Sequence, residues 1–160
     1  MIAEQLAGKR IAVTGSTGFL GTALIERLVR SVPDCELILL VRPGRRGAQA
    51  RVTRDVLKND AFDLIRNEMG KDAFNEMCER RVRAVAGDVG TDGLGLSGDD
   101  LDLFLTADVI IHSAATVSFD SPLDTAVEVN LLGPQRIANL CNDHGAVSYT
   151  HLTLPTTSRV

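Results

Sequence analysis

Val13-Thr14-Gly15-Ser16-Thr17-Gly18-Phe19-Leu20-Gly21 is the stretch whose reading decides the fold. It follows the apolar run Arg10-Ile11-Ala12-Val13, a short buried strand by pattern, and leads into positions 22–30, where apolar residues recur at helical spacing. A glycine-rich bend between strand and helix gathers free backbone N–H groups at the positive helix end, which suits a diphosphate. Gly15 permits the tight turn, Gly18 lets backbone approach the phosphates, and Gly21 lets the helix pack on the strand. Thr14, Ser16, Thr17, Phe19 and Leu20 complete the bend as candidate contacts. The spacing is G-x-x-G-x-x-G rather than G-x-G-x-x-G, so a bend that merely turns a sharp corner is the competing reading.

With 160 residues, the chain is one domain's worth and long enough to bury a core. Apolar residues at 44%, charged residues at 24% and a net charge of −4 describe an ordinary soluble composition with no reason to expect nucleic acid as a partner. Arg42, Arg45, Arg46, Arg51 and Arg54 form a local basic patch. No apolar run approaches a spanning helix and the N-terminus is not a signal peptide, so a cytoplasmic location is expected. Cys35, Cys78 and Cys141 are far apart and His112, His144 and His151 lack ligand spacing; cytosolic thiols and no metal are the plain reading.

Beyond the first helix, Pro33-Asp34 breaks the pattern and positions 35–41 read as a second buried strand. Positions 47–80 are polar with helical periodicity, predicting two or more helices broken near Gly70. Positions 81–86 and 107–112 read as third and fourth strands, with a short helix over 99–106 between them. Ser121-Pro122 then opens a helix running to about Asp143. Strands alternating with helices predict an α/β fold: a Rossmann-like, doubly wound parallel sheet of order 3-2-1-4 with its ligand at the carboxyl ends of the strands. Gly15–Gly21, Arg42, Gly87-Asp88 and the residues after His112 all fall at such ends. Their coincidence argues against a mere corner.

The end of the second strand is where a ribose-binding Asp or Glu normally sits, and here it holds Val41-Arg42, with Arg45 close behind. A guanidinium there would pair with a 2′-phosphate, favouring NADPH; a solvated arginine is the bland alternative. Asp88 is placed to accept from the adenine amino group with Val89 against the ring, or is a simple turn aspartate. Ser113, Ala114, Ala115 and Thr116 are small enough to let backbone approach the cofactor.

T-G-x-x-G-x-x-G, Gly87-Asp88-Val89, H-x-A-A from His112 and V-N-x-x-G around Asn130 resemble an extended short-chain dehydrogenase/reductase. More narrowly, Thr14–Gly21, Leu40-Val41-Arg42, His112–Asp120 and the long helical insertion over 43–81 resemble the fatty acyl-CoA reductase and thioester reductase (male-sterility) group. The resemblance covers residues 8 to 145. It implies reduction of a fatty acyl-CoA or carrier-bound acyl thioester by hydride from NADPH, to aldehyde or alcohol. It also implies that Asn130 supports the proton relay, against the rival that it is a helix residue bonding a neighbouring strand's backbone. Another extended short-chain reductase, a sugar-nucleotide epimerase or dehydratase, and a non-catalytic dinucleotide sensor are the other readings.

Such enzymes carry a Tyr-x-x-x-Lys pair beside the nicotinamide, which this sequence lacks: its one tyrosine, Tyr149, is followed four residues on by Thr153, and its lysines are Lys9, Lys58 and Lys71. Positions 147–156 resemble the conceptual translation of a transposase-type sequencing adapter. The expectation is a dinucleotide-binding domain over 1–145, truncated before the catalytic half and inactive alone, with a non-native tail over 146–160. A chain ending there leaves an empty sheet position beside the fourth strand, a template for pairing.

Overall fold

The near-continuous apolar runs predicted as strands pair side by side in one direction, as buried parallel strands do. The computed structural model describes residues 2–118, 120–144 and 147–149. Strands β1 (Arg10–Thr14), β2 (Glu36–Val41), β3 (Val82–Ala86), β4 (Val109–His112) and β5 (Val147–Tyr149) form one parallel sheet of order β3-β2-β1-β4-β5. The order 3-2-1-4 expected from the alternation is present. The position beyond β4 is taken by β5, which sets Val147 opposite Val109. The expected domain boundary at 145/146 and the remainder of the tail from position 150 lie outside the described residues, as does Phe119 of the fourth-strand motif.

Side chains alternate across the sheet and build two cores. Ile11, Val13, Leu37, Leu39 and Val41 pack on one face with helix α2 (Phe19–Ser31) and the insertion after β2. Ala12, Ile38, Leu40, Val85 and Ile110 pack on the other with helices α6 (Gly98–Leu105) and α8 (Gly133–His144). A short helix α1 (Ile2–Leu6), which the sequence reading leaves unassigned, rests Ala3 and Leu6 against the first core.

The insertion is helical, as its periodicity predicts: α3 (Ala48–Val52), extended by a π turn (Thr53–Leu57), then α4 (Asp63–Met69) and α5 (Lys71–Arg81). Gly70, at φ 83°, makes the break between α4 and α5. Phe62 and Phe74 meet edge to face and fill the first core together with Val52, Val56, Ile65 and Met77. Arg81 fastens the insertion to the end of α2. Its guanidinium donates to the carbonyls of Val29 (3.0 Å), Val32 (2.8 Å) and Cys35 (2.8 Å). The outer edge of β3 is also covered: its amides at Ala84 and Ala86 donate to Gln49 Oε1 and Asp100 Oδ2, both at 2.9 Å.

The helix predicted from Ser121-Pro122 starts at Leu123 as α7 (Leu123–Val127), widens into a π turn (Glu128–Leu132) and continues as α8. Pro134 has no N–H to offer the Asn130 carbonyl, and Gly133 N–H instead bonds Glu128 five residues back, which is the wide turn. No helix among the described residues is long and apolar enough to cross a membrane. The three cysteines are buried, and burial pushes the Cys78 thiol up to about 11.

Candidate functional site

At the carboxyl ends of the strands, where the order reverses around β1, lies an open cleft of about 350 Å³. One side is the glycine bend. Gly15 has φ +73°, and a Cβ there would stand 2.5 Å from the Ala114 nitrogen; a Cβ on Gly21 would stand 2.1 Å from the Gly15 carbonyl oxygen. Both are glycine because of the protein's own backbone. Gly18 is different: its φ is −81°, and its Cβ would meet only the Gly15 oxygen, at 3.3 Å. It stands before the first turn of α2 and supplies no side-chain cap, leaving the first-turn amides for an outside acceptor. Beside them the Ser16 hydroxyl lies buried without a hydrogen-bond partner, on the cleft wall. A buried hydroxyl left unpaired costs about 1–3 kcal/mol, and an anionic ligand in the cleft would relieve it.

Apart from Arg45 and Asn130, the site residues read from the sequence divide into three groups. Gly15, Ser16, Thr17, Gly18, Arg42, Asp88, Val89, Ser113, Ala114, Ala115 and Thr116 line the cleft together. Thr14 and Gly21 are buried behind it. Thr14 ties β1 to the loop after β4: its hydroxyl meets His112 Nδ1 at 2.6 Å and its carbonyl accepts from Ser113 Oγ at 2.8 Å. Phe19 and Leu20 turn their side chains to solvent, at 95% and 51% exposure, so only their backbone faces an anion at the helix end.

Arg45 is exposed on the turn between β2 and α3 and is not on the cleft wall. The second guanidinium there is Arg51, which donates to the Arg42 carbonyl at 2.7 Å and to Asp55 at 3.3 Å. The turn closed by Gly47 N–H on the Gly44 carbonyl, with Gly47 at φ +85°, starts α3 so that its first turn returns over the strand end. A nine-residue spacing from Arg42 with a helix start between was the available sequence signal.

Asp88 accepts from Gly90 N–H at 2.9 Å, the turn-aspartate geometry, while keeping its place on the cleft wall. Asn130 lies in the π turn. Its Oδ1 accepts from Thr116 N–H and its Nδ2 donates to the Thr116 carbonyl, both at 2.9 Å. The partner is backbone, as in the rival reading, but of the loop after β4 and not of a strand, and it commits both ends of the amide. Leu40, Val41, Gly87, Thr125 and Val129, none of them read from the sequence as a binding residue, complete the wall. His112 is half-buried, and burial holds its pKa below the ordinary histidine value.

A family model described as male sterility protein, an NAD-binding domain, matches residues 13–154. Fatty acyl-CoA reductase 1 of Arabidopsis thaliana is 34% identical over 140 residues, which are 85% of this chain and 28% of that protein. Fatty acyl-CoA reductase 2 of Bos taurus is 32% identical over 142 residues, 86% of this chain and 26% of that protein. Among solved structures, the terminal R domain from the myxalamid PKS-NRPS biosynthetic pathway superposes with a TM-score of 0.68 at 28% identity, covering 89% of this chain and 33% of that one. The chain thus spans between about a quarter and a third of the length of these proteins.

Proposed function

Since this chain belongs to the male sterility protein family, in the fatty acyl-CoA reductase group of extended short-chain dehydrogenases/reductases, we propose that it is the NADPH-holding part of a reductase of fatty acyl thioesters, inactive by itself. The cofactor class is a nicotinamide dinucleotide. The observation that carries the reading is the buried, unpartnered Ser16 hydroxyl at an uncapped helix start, across one cleft from Arg42 and Arg51.

In this reading the amides of Phe19, Leu20 and Gly21 and the Ser16 hydroxyl take the diphosphate, with Gly18 leaving room for it. Arg42, supported by Arg51, pairs with a 2′-phosphate; Arg45 joins as a peripheral charge. The free oxygen of Asp88 receives the adenine amino group, and Val89 lies against the ring. Ser113, Ala114, Ala115 and Thr116 border the ribose nearer the reaction centre. Asn130 acts through Thr116 as a positioning residue, and Thr14 does so through Ser113 and Ala114. The bound cofactor supplies the hydride that reduces an acyl-CoA or carrier-bound acyl thioester, with cytosol as the compartment.

Titration of the 160-residue chain with NADPH and NADH, alongside Arg42→Asp, tests the cofactor half. NADPH preferred by wild type and lost in the variant is expected; an unchanged preference overturns the 2′-phosphate assignment. For the whole protein, a complete reading frame carrying a Tyr-x-x-x-Lys pair and oxidising NADPH only with acyl-CoA present is expected. A frame without that pair favours a dinucleotide sensor instead. The same reading takes residues from 146 onward as non-native, and source DNA matching genomic sequence across codons 140–160 would remove that part.

A further inference from the structure

Opposite the glycine bend, the cleft is walled by Val89 in the loop after β3 and by Val129 in the π turn. Val89 lies in a turn outside the sheet, and Val129 in the widened stretch of its helix. One side chain joins them. Arg136, in α8, donates from Nη1 to the Val89 carbonyl (3.4 Å) and to the Glu128 carbonyl (3.2 Å). Its Nη2 pairs with Glu128 Oε2 at 2.7 Å and its Nε donates to Asp92 Oδ1 at 3.0 Å. Of these residues only Val89 is on the cleft wall; Arg136, Asp92 and Glu128 are not.

The placement follows from the chain. Pro134 imposes the π turn, and two helical turns separate Arg136 from Glu128, so the guanidinium comes up beneath the carbonyl of the widened turn. The loop it reaches is itself preset. Gly93, Leu94 and Gly95 are consecutively left-handed at φ +60°, +58° and +62°, a conformation that a leucine adopts only when its surroundings enforce it. Here the Leu94 side chain is fully buried, its carbonyl accepts from Asp88 N–H at 2.7 Å, and Asp92 is held by Arg136. The surfaces are in close contact: a Cβ on Gly90 would meet Val129 Cγ2 at 3.5 Å, and one on Gly133 would meet Val89 Cβ at 3.6 Å.

We propose that Arg136 is a positioning residue for the adenosine end of the cleft: by fastening the Val89 carbonyl to the Glu128 turn it sets where the Val89 wall stands, against which a flat base lies. This rests on the dinucleotide reading above. Its guanidinium is already engaged by Glu128 and Asp92 and is not on the cleft wall, so it acts through these walls and not as a phosphate ligand. The ligand it serves is therefore the adenine-bearing half, while the glycine bend is untouched by it.

Calorimetric titration of the 160-residue chain with adenosine 2′,5′-bisphosphate and, separately, with inorganic pyrophosphate separates the two ends. Arg136→Met is expected to weaken the adenosine bisphosphate at least tenfold and pyrophosphate less than twofold. Arg136→Lys, which keeps the charge beside Asp92 and Glu128 but cannot span both carbonyls, is expected to fall between. Parallel weakening of both ligands with a lowered Tm would show a scaffold role and overturn the proposal, as would no change in either. Should the methionine variant not fold, the lysine variant decides by the same criterion. Wild type binding pyrophosphate alone overturns this inference only; wild type binding neither overturns the dinucleotide reading and this inference with it.

Discussion

The two sides of the cleft are made from different materials. The glycine side is backbone on backbone: Gly15 against Ala114 and Gly21 against Gly15, with no room for a methyl group. The opposite side is side chain on backbone, with Arg136, Asn130 and Arg51 each holding carbonyls or amides distant in sequence. At Gly15 and Gly21 such a wall tolerates no side chain, and it is rigid without partners. A wall hung on guanidinium and amide groups can be loosened one contact at a time, which makes its energetics graded.

The largest effect is expected where the glycine side is overfilled. Gly21→Ala places a methyl group at 2.1 Å from a carbonyl oxygen, and a loss of at least about 3 kcal/mol in denaturant unfolding is expected. A loss below 1 kcal/mol would show that the backbone yields and would break the contrast. Next comes Arg81→Met, which strands three carbonyls at the end of α2. A cost of about 2–4 kcal/mol is expected by the same measurement, with ligand affinity retained in the folded fraction. That result would show the insertion supporting the sheet without shaping the cleft.

Gly18→Ala sharpens the comparison within one motif. Its φ suits alanine and its Cβ would press only on the Gly15 oxygen, at 3.3 Å, which a shift of a few tenths of an ångström relieves, so stability should change by under about 1 kcal/mol while dinucleotide affinity falls at least tenfold, about 1.4 kcal/mol. Equal effects on both would mean that Gly18 serves the fold alone. The smallest effect concerns His112. Burial lowers its pKa in the folded chain, so the unfolded chain takes up the proton first. Stability is whole above the ordinary histidine value and declines as pH falls below about 6.5, no more steeply than one proton's 1.4 kcal/mol per pH unit. The decline is measured as the difference between wild type and His112→Asn in urea midpoints from pH 8 to 5. Identical pH profiles for the two proteins would remove His112 from the account.

The legible part of the site was the part coded locally. The glycine bend, the strand-end Arg42, Asp88-Val89 and the small residues 113–116 each sit within a few residues of a strand whose apolar run announces it. Arg45 and Arg51 could not be ranked, because a turn and a helix start between them decide which guanidinium comes back to β2. Phe19 and Leu20 belong to the motif by backbone, while their side chains leave it.

Sequence by itself determined the α/β alternation, the parallel sheet and the bend, because periodicity and glycine geometry act over a span of about ten residues. Tertiary structure alone decided that Thr14 meets His112 across 98 positions, that Arg136 holds Val89 across 47, and that Asn130 grips Thr116 rather than reaching into the cleft. The physical reason is that a polar side chain pairs with whichever group the packed helices bring within about 3 Å, and the π turn at Pro134 resets which groups those are.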